Sequence, residues 1–372
     1  MERVLVTGAT NIGKAGVATI IYKWGQQFNS NEIVYDYLMQ RQAPDKIYRD
    51  AIENKGGIIY TMPQSSKKSM LNIIKWVTKI IKENGYKTIH INSDSAYIAA
   101  GYIFAAKRAK IKHIFVHSHC TQIDDNQKLK RIIKTIIHKL CVPYVRRNTE
   151  MYLACSKVAG AWMFGNRITE CDKYKTIYNG VETERYLFNL EIRNEYRSKL
   201  KLESKYVIGN VGRLSYQKNQ EHLIDIFYNY HQKNCDSILV IVGEGELREN
   251  LEHKIESLDL KDDVLLLGLR DDVEKLLSVF DVLVMPSRFE GLPVTMVEAQ
   301  MADLPCVAAT TITEEADFTG IVKYVEMNDF ESWNVMIENY RYYDRTGHEE
   351  LRLNSSFNIA YAAKELSDIL LS

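Results

Sequence analysis

Along the chain, short continuous apolar runs alternate with stretches in which apolar residues recur every third or fourth position. The short runs read as strands buried on both faces and the amphipathic stretches as covering helices, the βαβα order of a parallel sheet. In the first half this predicts strands over Arg3–Thr7, Glu32–Tyr37, Gly57–Tyr60, Thr88–Ile91, His113–His117 and Met151–Cys155, with helices such as Met70–Glu83 and Ala96–Ala109 between them. In the second half it predicts strands over Tyr206–Val211, Ser237–Val242, Val264–Leu267, Val282–Met285 and Cys306–Ala308. Two similar βα arrays therefore stand in tandem. Fixed-period repeats are absent, and Pro and Gly are too sparse for a long linker, so the boundary is expected as a short hinge near Tyr178–Thr183. Ligands of open parallel sheets bind outside the carboxyl ends of the strands, and two such sheets facing each other would form a cleft.

Composition narrows the class. The chain has 372 residues, 46% hydrophobic and 26% charged, enough for two domains with real cores, which excludes disorder, collagen and small disulfide scaffolds. Six cysteines without a C-x-x-C pair read as reduced thiols of a cytoplasmic protein. The N-terminus lacks the regions of a signal peptide, and no apolar run approaches the ~18 residues of a membrane span. The zero net charge hides an asymmetry. Residues 1–180 carry 28 basic and 13 acidic side chains, net +15, which leaves net −15 for the rest. A basic half favours an anionic partner, namely nucleic acid, a phosphorylated substrate or a membrane surface. Mutual attraction of the two halves explains the asymmetry equally well.

Candidate chemistry begins at the N-terminus. Val6-Thr7-Gly8-Ala9-Thr10-Asn11-Ile12-Gly13-Lys14-Ala15-Gly16, with Asp36 after a second strand, is similar to a dinucleotide-binding fingerprint and to the start of NAD(P)-dependent short-chain oxidoreductases. Those enzymes need a Tyr-x-x-x-Lys pair for proton transfer, and none of the 23 tyrosines has a Lys four residues on. The glycine spacing is also irregular. In the second half, Gly212-Arg213-Leu214 and Gln217-Lys218-Asn219 follow a strand and precede a helix, so two cations can face a diphosphate from two sides. Glu290-Gly291-Leu292-Pro293, with Glu298 eight residues after Glu290, follows another strand. Pro293 suits a first helical turn, whose amides favour an anion. A carboxylate beside such a site is costly unless it binds hydroxyls, which points to a sugar.

These residues, with Val242-Gly243-Glu244-Gly245 in order between them, resemble the retaining glycosyltransferases of family 4 over nearly the whole chain. The resemblance implies an α/β fold of two Rossmann-like domains facing each other across a cleft (GT-B). Residues 1–180 would bind the acceptor, 181–355 the nucleotide-sugar donor, and 356–372 would form a helix crossing back to the first domain. It implies that Arg213 and Lys218 hold the donor diphosphate, Glu290 the donor sugar with Gly291, Leu292 and Pro293 close by, and Glu298 the ribose. Gly268-Leu269-Arg270 would line the base, and Gly13 would approach the diphosphate. The Lys14-Ala15-Gly16 that follows Gly13 departs from the double glycine common there. His117 matches the strand-end histidine near the donor sugar, with His119 as the alternative one strand pair further on.

No Asp-x-Asp occurs in the sequence, and the expectation is transfer without a metal or other cofactor, the two cations and a helix N-terminus serving instead. The resemblance further implies a UDP-sugar donor and a saccharide acceptor linked to polyprenyl diphosphate, in capsular or exopolysaccharide assembly. An oxidoreductase is the competing enzyme class. Nucleic acid is not an expected partner, because neither an aromatic-rich β face nor a helix-turn-helix pattern is present. The segment Lys128–Lys139 is apolar at helical spacing, with Lys and Arg between and no acid from Asn126 to Thr149. Two readings stand for it, a peripheral contact with an anionic membrane and a core-packed helix with a solvated basic face.

Overall fold

The computed structural model describes residues 1–372 apart from 14, 15, 41, 42, 64–68, 346–351, 353 and 354, and Thr169 by its backbone alone. Contacts divide the chain into two compact units, the first of residues 1–123, 127–181 and 356–372, the second of 124–126 and 182–355.

The first unit holds a parallel sheet of seven strands: β1 (Glu2–Val6), β2 (Ile33–Met39), β3 (Ile59–Thr61), β4 (Thr88–Ser93), β5 (His113–Ser118), β6 (Tyr152–Ala154) and β7 (Tyr174–Thr176). Their order is β3-β2-β1-β4-β5-β6-β7. Val4, Leu5 and Val6 are wholly buried in succession, as a strand covered on both faces requires. The covering helices are α1 (Gly16–Gln27), α2 (Lys46–Asn54), α3 (Met70–Asn84), α4 (Ala96–Arg108), α5 (Lys128–Asn148) and α6 (Lys157–Phe164). Ser69 caps α3 by accepting the Asn72 N–H at 3.3 Å, and Gly85 ends it in the left-handed conformation. Small residues of α4 let α3 approach closely, since a Cβ on Gly101 would lie 2.3 Å from Met70 Sδ.

The chain returns to this unit at its C-terminus. The Val181 N–H donates to the Phe357 carbonyl at 2.7 Å, and the Ile359 N–H to the Val181 carbonyl at 3.1 Å. A Cβ on Gly180 would stand 2.6 Å from Ile359 Cα, so the crossing needs glycine. The last helix of the chain, Ile359–Leu371, then packs on α1.

The second unit repeats the plan. Its helices are α7 (Leu190–Leu200), α8 (Gln220–His231), α9 (Arg248–Ser257), α10 (Val273–Val279), α11 (Val294–Met301) and α12 (Phe330–Asn339), which makes Ile359–Leu371 α13. Its strands are β8 (Tyr206–Val211), β9 (Ser237–Val242), β10 (Val264–Leu266), β11 (Val282–Met285), β12 (Cys306–Ala309) and β13 (Val322–Val325), parallel in the order β10-β9-β8-β11-β12-β13. Leu223, Phe227 and Tyr230 of α8, Leu251 of α9, and Trp333 and Ile337 of α12 form one core over this sheet.

Both units are thus α/β with Rossmann strand order. The order reverses between β1 and β4 in the first sheet and between β8 and β11 in the second, the places where open parallel sheets bind ligands at the carboxyl ends of their strands. Strands β7 and β13 go beyond those read from the apolar pattern. Each stands at a sheet edge, where burial on both faces is not required.

Candidate active site

At the reversal of the second sheet, three loops are laced together by main-chain bonds. The Gly212 N–H donates to the Val242 carbonyl at 2.9 Å, the Leu214 N–H to Glu244 at 3.0 Å, and the Gly243 N–H to Gly268 at 2.9 Å. Such close approach excludes side chains. A Cβ would meet the Gly212 oxygen at 2.0 Å if placed on Gly243, and the Leu214 oxygen at 2.2 Å if placed on Gly245. This backbone shelf carries Arg213 and, one turn on, Lys218.

Lys218 Nζ donates to Glu290 Oε1 at 2.7 Å, and Gln217 Nε2 donates to Glu290 Oε2 at 3.0 Å. Both carboxylate oxygens of Glu290 are therefore engaged by the Gln217-Lys218 pair, and Glu290 is buried. The Arg288 N–H closes the same junction on the Gln217 carbonyl at 2.8 Å. Asn219, left-handed at φ +58°, turns the chain into α8 and donates Nδ2 to the Pro286 carbonyl at 3.0 Å. The loops after β8 and β11 thus form one rigid piece, with an ammonium and a carboxylate facing each other at its centre.

Arg213 remains largely exposed and pairs with Asp124. Burial pushes the Asp124 carboxyl up from its ordinary value, and the Arg213 guanidinium works against that rise. Gly291, Leu292 and Pro293 are buried where the loop enters α11. Glu298, within α11, accepts a hydrogen bond from the Tyr186 hydroxyl at 2.7 Å. Burial first, and the Glu298 charge second, raise the Tyr186 phenol. Gly268 is left-handed at φ +70°, and Leu269 is exposed. Arg270 is bound through Nε to Asp272 at 2.8 Å and through its second nitrogen at 2.5 Å.

In the first unit the turn after β1 is held to the end of β4. Thr7 Oγ1 accepts the Asn92 N–H at 3.1 Å, and a Cβ on Gly8 would come within 2.8 Å of Asn92 Cβ. Gly13, at φ +80°, lies against Tyr48, whose hydroxyl oxygen would be 2.4 Å from an added Cβ. Its amide donates to Thr19 Oγ1 at 2.9 Å. Lys14 and Ala15 lie outside the described residues.

The reading of Asp36 is corrected. It stands in the middle of β2, opposite Leu5 of β1, rather than at a strand end. Its carboxylate takes Arg3 Nε at 2.8 Å and a second Arg3 nitrogen at 2.6 Å, the Tyr86 hydroxyl at 2.6 Å and the Ile58 N–H at 2.7 Å. A carboxylate so fully engaged inside the unit has no capacity for a ribose. The N-terminal turn therefore lacks the acid of a dinucleotide fingerprint.

At the ends of β4 and β5, His90, His117 and His119 gather with Trp24. Trp24 stacks on His117 at 5.2 Å and His119 stacks on His117 at 4.4 Å, with Trp24 and His119 themselves 6.1 Å apart between centroids. The Tyr35 hydroxyl lies 2.6 Å from His90 Nδ1, His90 Nε2 lies 3.3 Å from His117 Nδ1, and His119 Nε2 lies 2.8 Å from Asn92 Oδ1. The chain of bonds is most fully used when Tyr35 donates to His90 and His90 to His117, which leaves the proton of His117 on Nε2. His117 Nε2, His119 Nδ1 and Asn92 Nδ2 are buried and find no partner among the described residues. Desolvation lowers His90 and His119 to about 3, with the His119 charge a smaller influence on His90, and holds His117 well below its ordinary value. All three are neutral at physiological pH.

The structure brings Lys218, Glu290 and Gln217 together in one junction and sets Arg213 on the adjoining loop. Asp124, Tyr186, Tyr35 and His90 escaped the sequence reading. The sequence marks Gln217 only as part of the Gln217-Lys218-Asn219 motif, and the structure gives it the second oxygen of Glu290. Among the described residues, no group of three His, Cys, Asp or Glu could hold a metal ion.

Residues 192–317 match the family described as glycosyl transferases group 1. The chain is 28% identical over 311 residues to the putative glycosyltransferase EpsF of Bacillus subtilis (strain 168), covering 83% of this chain and 79% of that one. It is 26% identical over 276 residues to the UDP-Gal:alpha-D-GlcNAc-diphosphoundecaprenol alpha-1,3-galactosyltransferase of Escherichia coli, covering 72% and 69%. In fold it is similar to Anabaena Alr3699/HepE, solved in complex with UDP-glucose, with a TM-score of 0.71 and 18% identity over 100% of this chain and 96% of that one.

Proposed function

Since this chain is a glycosyltransferase with a group 1 domain and the GT-B fold, we propose that it moves a sugar, with retention and without a metal, from a UDP-sugar to a hydroxyl of a polyprenyl-diphosphate-linked saccharide in capsular or exopolysaccharide assembly. The observation that carries the donor assignment is the junction at the β8/β11 reversal, where Arg213 and Lys218 stand beside a buried carboxylate. In the free protein each cation is held by an acid, Lys218 by Glu290 and Arg213 by Asp124. An arriving diphosphate competes for both cations. That competition frees Glu290 for the hydroxyls of the donor sugar, while Gly291, Leu292 and Pro293 bring backbone close to it.

As the glycosyl bond breaks, negative charge grows on the leaving phosphate, and fixed cations stabilise it more than they stabilise the ground state. The leaving phosphate takes the proton of the acceptor hydroxyl on the same face, so no covalent nucleophile of the chain is assigned. Glu298 binds the ribose hydroxyls, with Tyr186 holding its carboxylate in place, and Gly268, Leu269 and Arg270 border the base. For the first unit the family resemblance assigns Gly13 to the diphosphate and His117 to the donor sugar, His119 being the alternative, and Tyr35 and His90 fix the His117 proton on Nε2. The E. coli relative's name supports the UDP donor and the lipid diphosphate acceptor.

Thermal unfolding with UDP, GDP, ADP or NADH, without added metal, tests this reading, because a ligand selective for the folded state raises the midpoint. A rise with UDP and none with NADH is expected. A rise with NADH alone sinks the donor assignment.

A further inference from the structure

Helix α5 turns its apolar side to solvent. Leu129 and Leu140 are 70% and 75% exposed, and Ile132, Ile133, Ile136 and Ile137 between 43% and 54%. At 3.6 residues per turn these six lie within an arc of about 140°. The opposite side faces the body of the unit. There His138 is buried, accepts the Ala96 N–H on Nδ1 at 3.0 Å, donates from Nε2 to the Trp162 carbonyl at 3.0 Å, and stacks on Trp162 at 3.7 Å. A histidine anchors the helix, and the leucine and isoleucine stripe is left in water. Of the two readings of this segment, the core-packed one is thereby set aside.

The stripe has a cationic border. Lys128, Lys139 and Arg146 run along one edge and Lys130 along the other, all exposed, and no acid occurs from Asn126 to Thr149. Folded monomers do not ordinarily leave so large a continuous apolar surface in water, and none of the described helices is long and apolar enough to cross a membrane. A second copy of the same face would set like charges against each other. We propose that this face of α5 docks on an anionic phospholipid bilayer, the six apolar side chains entering the acyl boundary and the bordering cations meeting lipid phosphates. The surface is independent of the donor-site assignment. It adds to it a way for the enzyme to find an acceptor confined to two dimensions.

Vesicle flotation of the full chain tests the proposal, with phosphatidylcholine alone and with about 30% phosphatidylglycerol at about 0.1 M salt. Wild-type protein is expected to float with the anionic vesicles only. The triple variant Ile133→Gln, Ile136→Gln, Leu140→Gln alters exposed positions alone, and should lose at least about tenfold in bound fraction while keeping its turnover on a soluble acceptor. The variant Lys130→Gln, Lys139→Gln, Arg146→Gln should lose a similar factor together with the salt dependence. Equal binding to both vesicle types, or unchanged binding by the triple Gln variant, overturns the proposal. So does a wild-type dimer that fails to float and becomes monomeric in that variant, which would make the stripe an interface between copies.

Discussion

The two sheets reverse strand order at corresponding places, yet the chain furnishes the two reversals with opposite chemistry. Beside β8 stand paired charges, Lys218 with Glu290 and Arg213 with Asp124, on loops clamped by glycine contacts. On β4, at the end of β5 and on the helix over them stand neutral rings, three imidazoles and an indole, stacked and buried. Topology supplies an opening in both cases, and the loop residues decide what enters it. Paired charges can exchange partners with an incoming anion, whereas buried neutral rings offer hydrogen-bond direction without charge.

The sharpest way to break this contrast is to remove charge from the second crevice alone. Lys218→Ala should lower turnover by about 10³, equivalent to about 4 kcal/mol of barrier, and should also lower the thermal midpoint, because it leaves the buried Glu290 carboxylate without its cation. Steady-state kinetics with saturating donor reads this. A loss below tenfold would strip Lys218 of the diphosphate role and leave the Glu290 pair as a structural ion pair.

The first crevice is probed by acid. An unfolded histidine takes up a proton near pH 6.5, whereas His90 and His119 hold out to about 3 in the folded state. Between those values the unfolded chain binds more protons, so stability is fully present above pH 6.5 and falls as the pH is lowered, by about 1.4 kcal/mol per pH unit for each such group. Carboxylates protonate mostly below about pH 4.5, so the window from 6.5 to 5 isolates the imidazoles. In urea unfolding, His119→Gln should flatten this slope by about one proton. Identical slopes in variant and wild type would mean that His119 is already charged in the folded protein.

The contrast also explains what was legible in sequence. Runs such as Val4–Val6 or Ile238–Val242 betray themselves because burial on both faces leaves no polar position. The edge strand Tyr174–Thr176 has no such run. In the second unit, Arg213 with Lys218 and Glu290 with Glu298 lie within a few residues of each other, and their order with Val242-Gly243-Glu244-Gly245 between them carries the family resemblance. Their partners Asp124 and Tyr186 sit 89 and 112 residues away and leave no local trace. Asp36 shows the opposite failure, since a local pattern resembled a motif while the carboxylate was committed to Arg3, Tyr86 and Ile58. For α5, periodicity gave the stripe and not its direction, which His138 sets through contacts to Ala96 and Trp162.

A milder intervention separates the ribose from the diphosphate within the charged crevice. Glu298→Ala removes a two-oxygen acceptor and should raise the donor KM about tenfold with kcat nearly kept, the signature of binding shared by ground and transition states. Tyr186→Phe should move KM in the same direction and less far, because it loosens the carboxylate without removing it. Donor KM unchanged in Glu298→Ala would dissolve the ribose assignment.

The smallest effect is expected at Arg270, and it tests whether charge in this unit matters by kind or by position. Arg270 is cationic like Arg213 and follows β10 of the same sheet, but its guanidinium is already spent on Asp272, which also accepts from Tyr196 at 2.8 Å. That hydrogen bond is the largest influence on both groups, raising the Arg270 guanidinium and holding the Asp272 carboxyl below its ordinary value. Arg270 is gripped through two nitrogens by a carboxylate two residues away, a pairing harder to open than the single contacts that hold Lys218 and Arg213. Arg270→Ala should therefore change donor KM by less than about threefold, within the small worth of an exposed ion pair. A loss comparable to that of Lys218→Ala would show that any cation at the carboxyl ends of this sheet serves the donor, and that the β8/β11 reversal holds no privileged place.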